Sequence, residues 1–292
     1  MPSGLSGLLA RARVSTRVGI GVALRPASIQ VAVVERAGPR ARLLAAQDIP
    51  CDTSQAEPLT RALAELRQRL RLTGPVVLGV PSTSAILTVV QPLIVTPSRA
   101  SLAVAFELQQ QLPFELADAA WHYHWLSNGA GRSRRAAPAA SPPGSASRVV
   151  AAAMRRSLLE ERLSACRRAG LAVRAVGVNA VAALNVANLA QPSSSGGTTA
   201  VLTLVDPQQA EWSVAGPERL QVVPVTSPSP DALWEHVAAS WQALRAEGIE
   251  VAPPVWLVGP PEALAPAQQA LAGVAVEHVD IAKAVSVGTS RS

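Results

Sequence analysis

An α/β fold with an internal duplication is what the amino-acid sequence predicts, on three observations. Three strand-like runs fill residues 17–49, and a helical run and a short apolar strand follow them. From residue 200 the same order returns: three strands, a helix, a strand. Between the two copies, residues 81–150 carry a strand-helix-strand-strand set that the second copy lacks.

The elements follow from residue chemistry. Arg17–Leu24 and Ser28–Glu35 are rich in β-branched residues, and Pro26, which has no N–H to give a ladder, marks the turn between them. Arg40–Ile49 reads as a third strand, which completes an antiparallel meander. In Glu57–Leu72 the residues Leu59, Leu63, Leu66 and Leu70 recur at helical spacing; Gly74-Pro75 ends the helix and Val76–Val80 is a buried strand. In the central set, Ala85–Val95 is extended and Pro97 opens a helix over Ser98–Leu112, with Leu102 and Phe106 expected to pack on the sheet. Trp121–Leu126 alternates as a strand, and Arg148–Met154 is the last strand. The Gly/Ser/Pro-rich stretch 128–147, with Arg132, Arg134 and Arg135, is expected to be a mobile loop. Arg155–Gly170 is an amphipathic helix closed by Gly170, Leu171–Val178 a strand, and Asn179 caps the helix Ala180–Ala190. The boundaries expected are a tail over 1–13, a first domain over 14–190 with its insert at about 81–150, a linker over 191–199, and a shortened second domain over 200–292.

Composition excludes several classes. At 49% hydrophobic residues and a net charge of +6, the 292-residue chain buries a core rather than staying disordered. Two cysteines, Cys51 and Cys166, rule out a disulfide scaffold. The most apolar stretch, Val76–Val95, is broken by Pro81 and Pro92, so no transmembrane helix is expected and the chain reads as cytoplasmic. The positive charge is nearly all arginine, with no basic-aromatic face, so no nucleic-acid partner is expected. His122 and His124 alternate on one strand; without a third ligand at suitable spacing they read as solvent-facing, and no metal site is assigned. Cys166 beside Arg167 and Arg168 reads as a structural thiol.

Three stretches carry a family resemblance. Val18–Glu35 resembles the opening strand pair of the type IV pilus assembly protein PilM family. Glu107–Leu126 resembles that family's block with Leu112, Pro113, Phe114, Leu116 and Tyr123 at signature positions. Val149–Asn185 matches at Ala151, Ala152, Arg155, Ala169, Gly170 and Leu171. The resemblance covers most of residues 18–190. It implies an actin-like (ribonuclease H-like) fold, a place under the inner membrane, and a groove between first-domain core and insert that holds the N-terminal cytoplasmic peptide of a PilN-like membrane partner.

The departures from the family pattern bear on chemistry. Actin-like ATPases cradle phosphates with backbone amides at glycine-rich turns. Here the vestigial loop positions are Gly19, Gly21, Ser28, Asp206 and Gly259. Gly21, Ala23 and Gln30 stand where the pattern has Asp, Gly and Lys, and the turn contains Pro26. Thr203 and Val205 replace the second Asp and Gly, Asp206 precedes Pro207, and Gly259 precedes Pro260 and Pro261. Only Thr226–Pro230 separates the third strand of the second copy from its helix, so the family's second helical subdomain is expected to be missing.

The expectation is therefore a non-catalytic scaffold, a pseudo-ATPase with no catalytic residue and no cofactor, peripheral at the membrane through its partner, with self-association open. Val104 and Leu108 are expected to line the partner groove, and Phe114 to anchor the insert. The alternatives are the cytoplasmic part of an L-type type II secretion subunit, whose family continues into a transmembrane helix, and an actin-like ATPase or kinase that still takes ATP and Mg²⁺.

Overall fold

The computed structural model describes residues 18–37, 40–91, 99–125, 148–190, 197–216, 219–280 and 285–287. The expected tail over 1–13, the arginine-bearing stretch 128–147, Pro97 and most of the linker, 191–196, lie outside them.

The first sheet begins with β1 (Val18–Leu24), β2 (Ser28–Ala37) and β3 (Arg40–Pro50), an antiparallel meander. In β1 the alternation is clean: Ile20, Val22 and Leu24 are buried, while Gly19 and Gly21 face outward. Helix α1 (Ala56–Leu70) turns Leu59, Leu63 and Leu66 onto this sheet. Its end is set by Arg71, a left-handed residue (φ 48°) whose N–H returns to the helix carbonyls. Strand β4 (Val76–Val80) then lies parallel to β1.

The insert leaves after β4. It comprises β5 (Ile86–Val90), α2 (Ala100–Gln109), β6 (Ala119–Trp125) and β7 (Val149–Arg155), the strands forming a separate sheet in the order β5-β7-β6. Helix α3 (Arg156–Arg168) follows and packs on α1 through Ala165 and Cys166. Gly170, at φ +75°, closes it, with Leu171 N–H bonding back to Cys166 O. Strand β8 (Val173–Val178) pairs parallel with β4, and α4 (Asn179–Ala190) leads to the second unit.

The second unit repeats the first. Strands β9 (Thr199–Asp206), β10 (Gln209–Ala215) and β11 (Leu220–Thr226) form the meander; β12 (Val255–Val258) and β13 (Val276–His278) add in parallel. The sheet order is β11-β10-β9-β12-β13, which matches β3-β2-β1-β4-β8 strand for strand. Helices α5 (Leu233–Ala246) and α6 (Leu264–Ala270) cover it, with Trp212 stacked on Trp241 at 5.0 Å and bonded through Nε1 to Ser240. Six residues, Ser227 to Ala232, join β11 to α5, so no helical subdomain intervenes there.

Three expectations are corrected. The last strand, β14 (Val285–Val287), pairs parallel with β3 in the first sheet, so residues 200–292 do not all belong to the second unit. Three residues are too short a run to carry a signal for which sheet they join. On α2 the faces are reversed: Val104 and Leu108 are fully buried against Val90, Val149 and Ala151, whereas Leu102 is 73% and Phe106 67% exposed. Every residue of 100–106 except Ser101 is apolar, so periodicity alone does not choose the buried side. Phe114 is half-buried rather than enclosed, with the Arg155 guanidinium 4.9 Å from its ring centroid.

Candidate functional site

Two concavities flank α4. One is the cleft between the two repeated units, of about 230 Å³; the other is an apolar groove of about 470 Å³ between the first unit's core and the insert.

The cleft is built at the β1–β2 turn. Arg25 N–H is engaged by Ser28 O, and Pro26 has no N–H to offer. The turn's carbonyls face the scaffold: Thr53 Oγ1 donates to Arg25 O at 2.7 Å, and Cys51 N–H to Ala27 O at 2.9 Å. Asn179 Nδ2 donates to Leu24 O at 2.8 Å, which ties the start of α4 to the same turn. What reaches into the cleft is the Arg25 side chain, which donates from Nη1 to Val205 O on the second unit. From the same wall as Arg25, Ser82 Oγ donates to Glu211 Oε2 on the second unit. Burial pushes the Glu211 carboxyl up to about 7, against the opposing pull of Arg25 and of the Ser213 hydroxyl. Burial likewise lowers the Arg25 guanidinium from its ordinary value, while Asp48, Asp206 and Glu211 pull it back up.

The five residues expected from sequence to be vestigial nucleotide-loop positions do not line this cavity. Gly19 and Gly21 sit mid-strand in β1, opposite Val34 and Ala32. Ser28 closes the turn with its carbonyl. Asp206 accepts Gln208 N–H at 2.8 Å and so shapes the β9–β10 turn. Gly259 O is held 2.8 Å from His278 Nε2. The lining comes instead from Arg25, Gln30, Ser82, Asn179, Thr203 and Glu211 among others. Arg25 and Glu211 carry the cleft's charge and were not singled out by sequence. The one available signal was an acid, Glu211, beside Trp212 in a strand with Ala210, Val214 and Ala215.

The groove has a different chemistry. Its floor is a cluster of Val80, Met154, Val178 and Ala180, with Leu87 and Val181 packed against it. Its rims are β6 and β8, each the edge of its sheet among the described residues. Residues 120–124 of β6 all border it: His122 and His124 are exposed, whereas Trp121 and Tyr123 are half-buried and also pack against the insert core. No Asp, Glu, Lys or Arg lines the groove among the described residues. Val104 and Leu108 are absent from it, being the core of the insert. Burial pushes the Cys166 thiol up to about 11, as befits a structural cysteine beneath α1. Among the described residues no helix is long and apolar enough to cross a membrane, and no group of three metal-ligating side chains occurs.

Neither a family model nor a curated protein matches the chain. Solved structures do. A structure described as the PilM-PilN type IV pilus biogenesis complex aligns at TM-score 0.69 and 18% identity, over 92% of this chain and 90% of that one. The cytoplasmic domain of EpsL, an inner-membrane component of the type II secretion system of Vibrio cholerae, aligns at TM-score 0.49 and 19% identity, over 83% and 82%. A Bacteroides thetaiotaomicron protein described as having an actin-like ATPase fold aligns at TM-score 0.51 and 9% identity, over 90% and 91%. The duplicated strand order together with the PilM-PilN and Bacteroides thetaiotaomicron alignments establishes that the chain has the actin-like fold, here with a strand-helix-strand-strand insert in the first unit.

Proposed function

We propose that the chain is a non-catalytic scaffold at the cytoplasmic face of an inner membrane, and that it holds the cytoplasmic tail of a PilN-like, membrane-anchored pilus-assembly protein. The carrying observation is the contrast between the two concavities. The groove is open, apolar and bordered by two sheet edges, the setting in which an extended peptide adds backbone hydrogen bonds and seats apolar side chains. The cleft is crossed by Arg25 and by the Ser82–Glu211 contact. The alignment with the PilM–PilN structure supports the choice of partner.

The same contrast supports the absence of ATP chemistry. A phosphate cradle needs amide donors, and at this turn Arg25 N–H is engaged and Pro26 has none. Glu211, the buried acid nearest that turn, answers Ser82 and Arg25 across the cleft.

Calorimetry tests both halves. The probes are a synthetic N-terminal cytoplasmic peptide of a PilN-like membrane protein, and Mg-ATP. Gly177 lines the groove, and a β-carbon there meets nothing within 4 Å, so Gly177→Trp plugs the groove without a clash at the backbone. The expected result is peptide binding that Gly177→Trp abolishes, and no heat with Mg-ATP. Peptide binding indifferent to Gly177→Trp overturns the groove assignment. Micromolar Mg-ATP binding, about 8 kcal/mol of net contacts, overturns the pseudo-ATPase reading.

A further inference from the structure

The cleft and the groove are not independent spaces, because three elements border both. Helix α4 gives Asn179 and Ala183 to the cleft and Val181 and Asn185 to the groove, and Ala182 lines both. The segment after β4 alternates: Val80 is groove, Pro81 to Thr83 are cleft, and Ala85 and Leu87 are groove again. Strand β11 of the second unit puts Pro224 to Thr226 in the cleft, while its Val222 packs into the cluster that floors the groove. A packed cluster of this kind does not deform continuously, so a change in the angle between the units must repack the groove floor.

We infer that the Ser82–Glu211 contact is a latch between the two units, and that its release and the shape of the groove change together. Arg25 to Val205 is the second bond across the cleft, so Glu211 and Arg25 face the same space. Among the described residues, Arg25 is the charge that faces Glu211 across the cleft and opposes the effect of its burial. Its ladder neighbours Thr203 on β9 and Pro224 on β11 are uncharged, as are Ser82, Thr83 and Asn179 opposite. The latched state keeps this carboxyl buried and protonated, and an open cleft would hydrate it. Protons therefore favour the latched state. The ratio of open to latched molecules rises about tenfold per pH unit between about pH 5 and pH 7 and levels off above. The meaning given to the groove rests on the partner reading above; the latch does not.

Pulsed electron spin resonance on the full chain tests the latch without any partner peptide. Nitroxides are placed by Arg61→Cys on α1 and Gln242→Cys on α5, both exposed, in a Cys51→Ser background that leaves Cys166 buried. Expected is one distance population at pH 5.5 and a second, growing population by pH 8. Glu211→Gln holds the pH 5.5 distribution at both values. Ser82→Ala, at a half-buried position, enlarges the second population at both. Gly177→Trp shifts the distribution at constant pH. The inference is overturned if Glu211→Gln and Ser82→Ala both track the parent protein with pH, or if Gly177→Trp leaves the distances unmoved. A peptide that fails to bind in calorimetry would remove the partner reading and leave these distances as they are.

Discussion

Gly79 on β4 and Asn179 at the start of α4 occupy adjoining space so closely that a β-carbon at residue 79 would overlap Asn179 Oδ1. The same asparagine donates from Nδ2 to Leu24 O at 2.8 Å. One glycine thus lets a side chain from α4 pass over β4 and fasten the end of β1, which is how the β1–β2 turn is held at the mouth of the cleft.

Gly79→Ala should therefore act through Asn179. The added methyl displaces the amide, and Leu24 O loses its partner. The expected loss is about 1–3 kcal/mol, read as a lower denaturant midpoint with unchanged slope. Gly177→Ala, where the new carbon meets open space, is the control and should stay within about 0.5 kcal/mol.

The two faces of α2 separate core from surface. Leu108→Ala removes a fully buried side chain of the insert core and should cost about 2–5 kcal/mol. Phe106→Ser, at a position 67% exposed, should change stability by less than about 0.5 kcal/mol. Thermal melts of the two variants decide it. A stable Leu108→Ala together with a destabilised Phe106→Ser would restore the assignment made from sequence.

Glu211 gives stability a pH dependence of defined sign. Its folded-state value, about 7, lies above the ordinary 4.5, so between those values the folded chain keeps a proton that the unfolded chain releases. Stability accordingly falls as pH rises from about 4.5 to about 7 and is flat above, a change of roughly 3 kcal/mol. Urea unfolding at pH 5, 6, 7 and 8 measures it. Glu211→Gln should remove this slope, and its persistence in that variant would assign the slope to other groups.

Much of the architecture was written in local chemistry. The alternation in β1, the leucine spacing of α1, Pro26 at the turn and the returning order of strands from residue 200 each reflect side chains choosing between water and core at short range. Those choices fixed the duplicated layout and the insert. The sequence could not choose between the two apolar sides of α2, because Leu102, Val104, Phe106 and Leu108 differ only in what lies across from them. Nor could it place β14, or bring Arg25 to Val205 across 180 positions and Ser82 to Glu211 across 129. Those are contacts between surfaces that exist only once both units have folded, and tertiary packing alone decides which polar groups are buried there and which groove is left open.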